Sequence, residues 1–296
     1  ATNKNVTWTS SDETVAFVNN RGLVVGLRVG SATITVTTKD GNHKATCLIT
    51  VEKFENEITS ENINVTYGES YEVEFDAIAN VENAEIKYYK GLREISKPTD
   101  AGTYKVVITV PESATYKKAS LEVSLVIAKR ELIVEIDNQE VTYGDDEEAK
   151  TYELIAGEKA FNHKDEDVFE VVRSEGNDAG TYDIYVEIIN DNYTVLFEKA
   201  SYVINPKVVA KPTAITGLVY NNELLEGVKD NEGYSVEDGF AIEADTHIAY
   251  VSLDSKQNYV WEDGTTSDLE IEYVIALRQI EVVIDDQEVT YGDDEA

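Results

Sequence analysis

The sequence predicts an all-β protein, a tandem run of β-sandwich modules in an extended array, and three observations predict it. The stretch Asp100-Ala101-Gly102-Thr103-Tyr104-Lys105-Val106 returns as Asp178-Ala179-Gly180-Thr181-Tyr182-Asp183-Ile184, and in eroded form as Ala244-Asp245-Thr246-His247-Ile248-Ala249. A second tyrosine follows each copy: Tyr116, Tyr193 and Tyr259 lie 15, 14 and 15 residues after Ala101, Ala179 and Ala244, and such self-similarity marks a repeat architecture. Strand-forming residues alternate through most segments, while no window sustains a helical period. At 296 residues the chain is too long for one all-β module and suits three or four, each burying its own core.

The recurring stretch has a local physical meaning. Its glycine suits a tight corner, and the alternation that follows places Tyr104, Val106, Ile108 and Val110 on one face and Thr103, Lys105 and Thr109 on the other. That pattern is a half-buried antiparallel strand entered through a turn. It resembles the corner of immunoglobulin sandwiches, where a tyrosine bonds back to nearby backbone two residues before a cysteine. Val106 and Ile184 stand in the cysteine's place, so packing alone would hold the sandwich. Tyr104 and Tyr182 are expected to be buried, with their hydroxyls on backbone.

Composition removes several function classes. Lys plus Arg number 25 against 58 Asp plus Glu, and a net charge of -33 repels nucleic acid and anionic lipid while keeping a monomeric segment soluble. Cys47 is the single cysteine, which excludes an internal disulfide framework. In the alternation Cys47, Ile49, Val51 it is expected to face a core as a small apolar group. No apolar run approaches the length of a membrane span, and no signal peptide or anchor is visible. Residues 127–147 match residues 275–295 at fifteen of twenty-one positions. The last stretch, 278–296, therefore reads as the opening of a further module, with targeting and anchoring signals expected outside this segment.

Taken in order, residues 1–53 form short strands at Val6–Trp8, Val15–Val18, Leu23–Val25, Ala32–Thr37 and Ala45–Val51, separated by Asn-, Gly- and Asp-rich turns. Trp8, Ser10, Ser11, Val15, Ala16, Gly22, Val24, Gly30, Ala32 and Ile34 match the bacterial Ig-like group 2 family, which this stretch resembles. The match begins where that family already has two strands behind it, so residues 1–53 read as a truncated module, not expected to fold alone. Residues 54–128 continue with strands at Ile63–Tyr67, Tyr71–Ala79, Ala84–Tyr89, 103–110 and a closing run through Leu121, Val123, Leu125 and Ile127. Thr66-Tyr67-Gly68-Glu69 opens this module, Thr142-Tyr143-Gly144-Asp145 opens the next (129–206), and Thr290-Tyr291-Gly292-Asp293 the partial last one. These modules resemble the Tyr-Gly-x type of MBG domain, an Ig-like repeat of bacterial surface proteins. Residues 207–277 are a divergent cousin, similar to a surface repeat with a Tyr-x-Trp-x-Asp-Gly-Thr hairpin, here Tyr259 to Thr265. Asp245 and His247 depart from the corner pattern. Only Ala128-Lys129-Arg130 separates one closing strand from the next opening strand, and two of the four prolines lie between Pro206 and Pro212, so neighbouring modules are expected to be stiffly coupled.

Trp8, Cys47, Tyr104, Tyr182, His247 and Trp261 are read as structural residues. Acidic clusters at Asp145–Glu148, Asp165–Asp167 and Asp293–Glu295 are read as solvated turns, because none has the alternating oxygen ligands with a central glycine of an EF-type loop. No cofactor is expected, with calcium the one ion left open. His43, His163 and His247 are scattered, without a paired His or Cys at ligand spacing. Tyr88, Tyr89, Tyr185 and Tyr250 fall on or near outward phases; strand formation is their first reading and stacking on sugar rings the second. The resemblances imply a non-catalytic stalk of a secreted or cell-wall-attached bacterial protein, reaching glycan or a host or matrix surface through flanking domains. Two alternatives stand beside it: an adhesin or carbohydrate-binding module, and an accessory region of an extracellular polysaccharide-degrading enzyme.

Overall fold

A computed structural model describes residues 4–286 and 288. The turn Thr290 to Asp293 and the cluster Asp293 to Glu295 lie outside the described residues. The chain is all-β: among the described residues there is no α-helix, and the helical turns are three single 3-10 segments, Val81–Asn83, Ala160–Asn162 and Asp165–Asp167. It divides into two compact units. Unit 1 is Ala1–Ile133, Ile155–Glu170 and Ile188–Leu196; unit 2 is Val134–Leu154, Val171–Glu187 and Phe197–Ala296.

Unit 1 opens with β1 (Val6–Ser10), the hairpin of β2 (Ala16–Val18) and β3 (Val24–Gly26), then β4 (Gly30–Thr38) and β5 (Lys44–Val51). The sheet order is β1-β4-β5, antiparallel throughout. Val15, Ala16, Val18, Ala32 and Ile34 form the buried core, with Trp8, Val24, Ile49 and Val51 packed against it. Trp8 lies so close over Gly22 that a Cβ there would come within 2.7 Å of the indole. Cys47 corrects the sequence reading: it is exposed. Its register partner is the buried Ile34, so the alternation assigned the correct side of the strand. Burial, however, needs a second layer, and β5 is an edge strand whose middle is left open, with Leu48 exposed beside it.

Next come β6 (Ile58–Ser60), β7 (Ile63–Thr66), β8 (Phe75–Ala77), β9 (Glu85–Lys90), β10 (Arg93–Ile95), β11 (Gly102–Val110) and β12 (Ala119–Ala128). The main sheet runs β10-β9-β11-β12-β7, with β7 parallel to β12, and β6 pairs with β8. The period-2 pattern of β11 buries Tyr104, Val106, Ile108 and Val110, and Val123, Leu125 and Ile127 of β12 do the same alongside. The expected strand from Tyr71 to Ala79 shrinks to β8. Other partners claim its first half: the Tyr71 hydroxyl donates to the Pro98 carbonyl at 2.8 Å, and the Lys97 ammonium donates to the Tyr71 carbonyl at 2.7 Å. Burial pushes the Tyr71 phenol up to about 12.

The stretch 129–206 contributes to both units. Its strands are β13 (Arg130–Ile136), β14 (Gln139–Thr142), β15 (Tyr152–Ala156), β16 (Phe169–Arg173), β17 (Gly180–Ile188), β18 (Tyr193–Phe197) and β19 (Ala200–Asn205). Within unit 2, β14 lies parallel on β19 and β19 pairs with β17, over a core of Ile184, Ala200, Tyr202 and Ile204. Unit 2 then adds β20 (Lys207–Val209), β21 (Leu218–Val219), β22 (Leu225–Glu226), β23 (Tyr234–Glu237), β24 (Phe240–Ala241), β25 (Thr246–Leu253), β26 (Tyr259–Trp261) and β27 (Leu269–Ala276). The sheet order here is β21-β27-β25-β23, and β21 lies parallel on β27. Trp261 is fully buried, with Val228, Tyr234, Ala249, Val251, Leu253, Tyr273 and Ile275 around it. Its indole N–H donates to the Ser267 carbonyl at 2.8 Å. In the turn that follows, the Lys211 ammonium and the Thr265 hydroxyl and amide hold the Asp263 carboxyl down at about 2.

Candidate functional site: the corner, the turn and the joint

The recurring corner makes the same bond three times. Tyr104 and Tyr182 each donate a hydroxyl proton to the carbonyl four residues back, Asp100 and Asp178, at 2.8 Å. His247, the departure in the third copy, keeps the bond by other means: its Nε2 lies 2.8 Å from the Glu243 carbonyl and donates to it as the Nε2-protonated tautomer. Tyr104 is buried, whereas Tyr182 is half-buried under the Arg173 guanidinium, which sits 5.5 Å over its ring. Replacing Tyr104 by Phe deletes one bond and leaves the Asp100 carbonyl without that donor. The expected loss is about 1 kcal/mol, read as a lower urea midpoint for the transition that includes β11, and an unchanged midpoint would contradict it.

The opening motif is a self-capped turn. In Thr66-Tyr67-Gly68-Glu69, the Thr66 amide donates to the Glu69 carboxylate at 2.7 Å, and the Glu69 amide returns to the Thr66 carbonyl at 2.9 Å. The Thr142 amide meets Asp145 at 3.1 Å, and the Asp145 amide meets the Thr142 carbonyl at 3.0 Å. Gly68 and Gly144 occupy the left-handed region that this turn demands, at φ 88° and 89°. Glu69 and Asp145, the acidic residues after Tyr67-Gly68 and Tyr143-Gly144, are therefore caps. Of the acidic clusters, Glu147 is further engaged by Arg173 and Lys150.

Corner and turn converge on residues from the repeat that follows. In unit 1, the Ala101 amide donates to Asn192 Oδ1 at 2.7 Å, and Asn192 Nδ2 donates to the Asp100 carboxylate at 3.2 Å. Beside it, the Tyr193 ring stands edge-on to Tyr67 with centroids 5.5 Å apart, and Phe161 meets Tyr67 edge-on at 5.4 Å. Arg130 Nε donates to the Tyr67 carbonyl at 2.8 Å, and the Tyr193 hydroxyl accepts the Ala160 amide at 2.8 Å. Gly68 is needed here for space too, because a Cβ on it would come within 2.4 Å of the Ala160 Cβ. Unit 2 repeats the joint. The Ala179 amide donates to Asn258 Oδ1 at 2.7 Å, Asn258 Nδ2 donates to Asp178 at 2.8 Å, and Tyr259 stands edge-on to Tyr143 at 5.4 Å. Gln257 adds a bond to the Ala179 carbonyl at 2.9 Å.

The predicted ligand-contact tyrosines lie on three strands, β9 in unit 1 and β17 and β25 in unit 2. Tyr88 and Tyr89 are both half-buried on β9; the Tyr89 hydroxyl meets Glu94 at 3.3 Å, and the Lys105 ammonium sits 5.4 Å over its ring. Tyr185 on β17 is half-buried, with its hydroxyl 3.4 Å from Glu187. Tyr250 on β25 is the most exposed of the four at 48%. Sequence reasoning missed Asn192 and Asn258. Their signal was present, since Asn precedes the second tyrosine in both the third and fourth repeats, whereas Thr115 precedes Tyr116.

Residues 1–49 match the family described as bacterial Ig-like domain (group 2). An alpha-L-arabinofuranosidase of Bifidobacterium longum subsp. longum is 56% identical over 52 residues, 18% of this chain and 5% of that protein. An uncharacterised protein of Clostridium acetobutylicum is 37% identical over 95 residues, 30% of this chain and 22% of that protein. The chain thus spans a small part of the length of these curated relatives. Among solved structures, the titin I-band fragment I67-I69 shows 15% identity and a TM-score of 0.26, with 69% of this chain and 89% of that one covered.

Proposed function

We propose that the chain is a non-catalytic repeat segment of a secreted or cell-surface bacterial protein, a stalk that projects an adhesive or catalytic domain. The observation that carries this reading is the use made of the recurring residues. Asp100, Ala101, Asp178 and Ala179, with Tyr67 and Tyr143, hold the end of one repeat against the Asn-Tyr of the next. The group 2 bacterial Ig-like match supports a bacterial, extracellular setting. Among the described residues no helix is long and apolar enough to cross a membrane. Contact with glycan or with a host or matrix surface belongs, on this reading, to flanking domains. A second reading is favoured by the arabinofuranosidase match: the segment serves as accessory modules of an extracellular polysaccharide-degrading enzyme.

Small-angle scattering in moderate salt tests the stalk. The long strands β11 and β12 run nine and ten residues at ~3.3 Å each, so with its end loops a module is roughly 35–40 Å long, and about three and a half in line reach ~120–150 Å, with a radius of gyration above ~35 Å. A single globule of this length would give ~19 Å. A value near the globular one contradicts the proposal.

A further inference from the structure

We propose that the fourth repeat carries a third socket of the same kind, and that the partner it fits is another β-sandwich repeat presenting an Asn-Tyr pair. The inference rests on the repeat-array reading and extends it to a corner whose alanine amide has no acceptor among the described residues. The two occupied sockets share three parts. One is a tyrosine at the end of the opening strand, whose amide is pinned to the closing strand: Tyr67 to the Ala128 carbonyl and Tyr143 to the Asn205 carbonyl, both at 2.8 Å. Another is a corner whose acidic residue gives its carbonyl to a ring four residues on. The last is the alanine amide between them, which the incoming asparagine takes.

The fourth repeat has all three. The Tyr220 amide donates to the Ala276 carbonyl at 2.9 Å, and β21 lies parallel on β27 as β7 does on β12 and β14 on β19. Glu243 gives its carbonyl to His247 at 2.8 Å. The corner sits at the same register, since the Ile275 amide donates to the Asp245 carbonyl at 3.0 Å while Gly102 and Gly180 face Ile127 and Ile204. Ala244 then stands where Ala101 and Ala179 stand, and its amide finds no acceptor among the described residues. Glu243 is exposed and supplies the carboxylate that Asp100 and Asp178 supply to an asparagine Nδ2. The occupant is argued from the two filled copies: both sockets take Asn followed by Tyr. The stretch 275–295, which follows this corner, matches 127–147 at fifteen of twenty-one positions. Besides Glu243, Asp245 and His247 in the corner, Asn221 follows Tyr220 where glycine follows Tyr67 and Tyr143, so this socket lacks the Tyr-Gly turn.

The experiment extends the full chain. Residues 278–296 are replaced by a second copy of residues 130–206, which the 275-to-127 alignment joins in register after Leu277, and amide hydrogen exchange is followed at Ala101, Ala179 and Ala244. A parallel chain carries a copy of 207–277 in the same place. The expected result is that Ala244 exchange slows about tenfold or more on extension, as one net hydrogen bond of ~1.4 kcal/mol implies. The slowing is lost when the appended copy's Asn192 is changed to Ala, and also with Asn192→Asp, which sets a second carboxylate against Glu243. Unchanged exchange at Ala244 with both appended repeats overturns the proposal. If Ala101 and Ala179 stay slow in those samples, only the third socket falls; fast exchange at all three would overturn the array reading itself.

Discussion

Trp261→Ala is expected to destabilise the fourth repeat by about 3–5 kcal/mol, the range for deleting a buried Trp or Phe. The indole is fully buried, packs on Tyr234 with ring centroids 5.5 Å apart, and satisfies its N–H on the Ser267 carbonyl. Removing it leaves a cavity between β20–β26 and the β21-β27-β25-β23 sheet and strands that carbonyl. For a module of this size each kcal/mol shifts the midpoint by ~4–8 °C, so calorimetry should show one transition falling by ~15 °C or more. A profile that superimposes on the parent's would mean that Trp261 does not organise this core.

Tyr67→Ala is expected to cost about 3 kcal/mol in unit 1, near the lower end of the same range, by a different route. Tyr67 is 6% exposed, and its ring is enclosed by Phe161, His163 and Tyr193, residues that lie some ninety or more positions later in the chain. The loss should therefore appear as decoupling: the transition containing β11 and β12 moves down, and the buried Tyr193 becomes accessible. Tyr67→Phe keeps the ring and should retain most of the stability. If alanine and phenylalanine at this position are equally stable, the ring is not what holds the joint.

The contrast between these two residues shows what the sequence could and could not reveal. Alternation in β11 and β12 is a local matter, written in adjacent positions, and it was legible, whereas Trp261 was read only as a structural residue. The corner was legible as well, and His247 shows that a ring donor at that position matters more than the phenol. Glycine in the corner matters less, since Asp245 stands there in the third copy. The joints left no mark beyond the recurrence of Asn before the second tyrosine, because each pairs residues some eighty to ninety positions apart: Asp100 with Asn192, and Asp178 with Asn258. An asparagine in a hairpin reads as a turn former, and nothing local announces that its amide faces another repeat. Cys47 failed for a related reason, as alternation names a face but not whether a second layer covers it.

The central claim is that the recurring residues join one repeat to the next, and hydrogen exchange resolved at Ala101 and Ala179 tests it most directly. In the full chain both amides should be protected, by Asn192 and Asn258 respectively. Asn192→Ala should accelerate exchange at Ala101 about tenfold and leave Ala179 unchanged, and Asn258→Ala should do the reverse, as the net worth of one hydrogen bond implies. Exchange at either alanine that ignores its own asparagine, or that responds equally to both, would contradict the account.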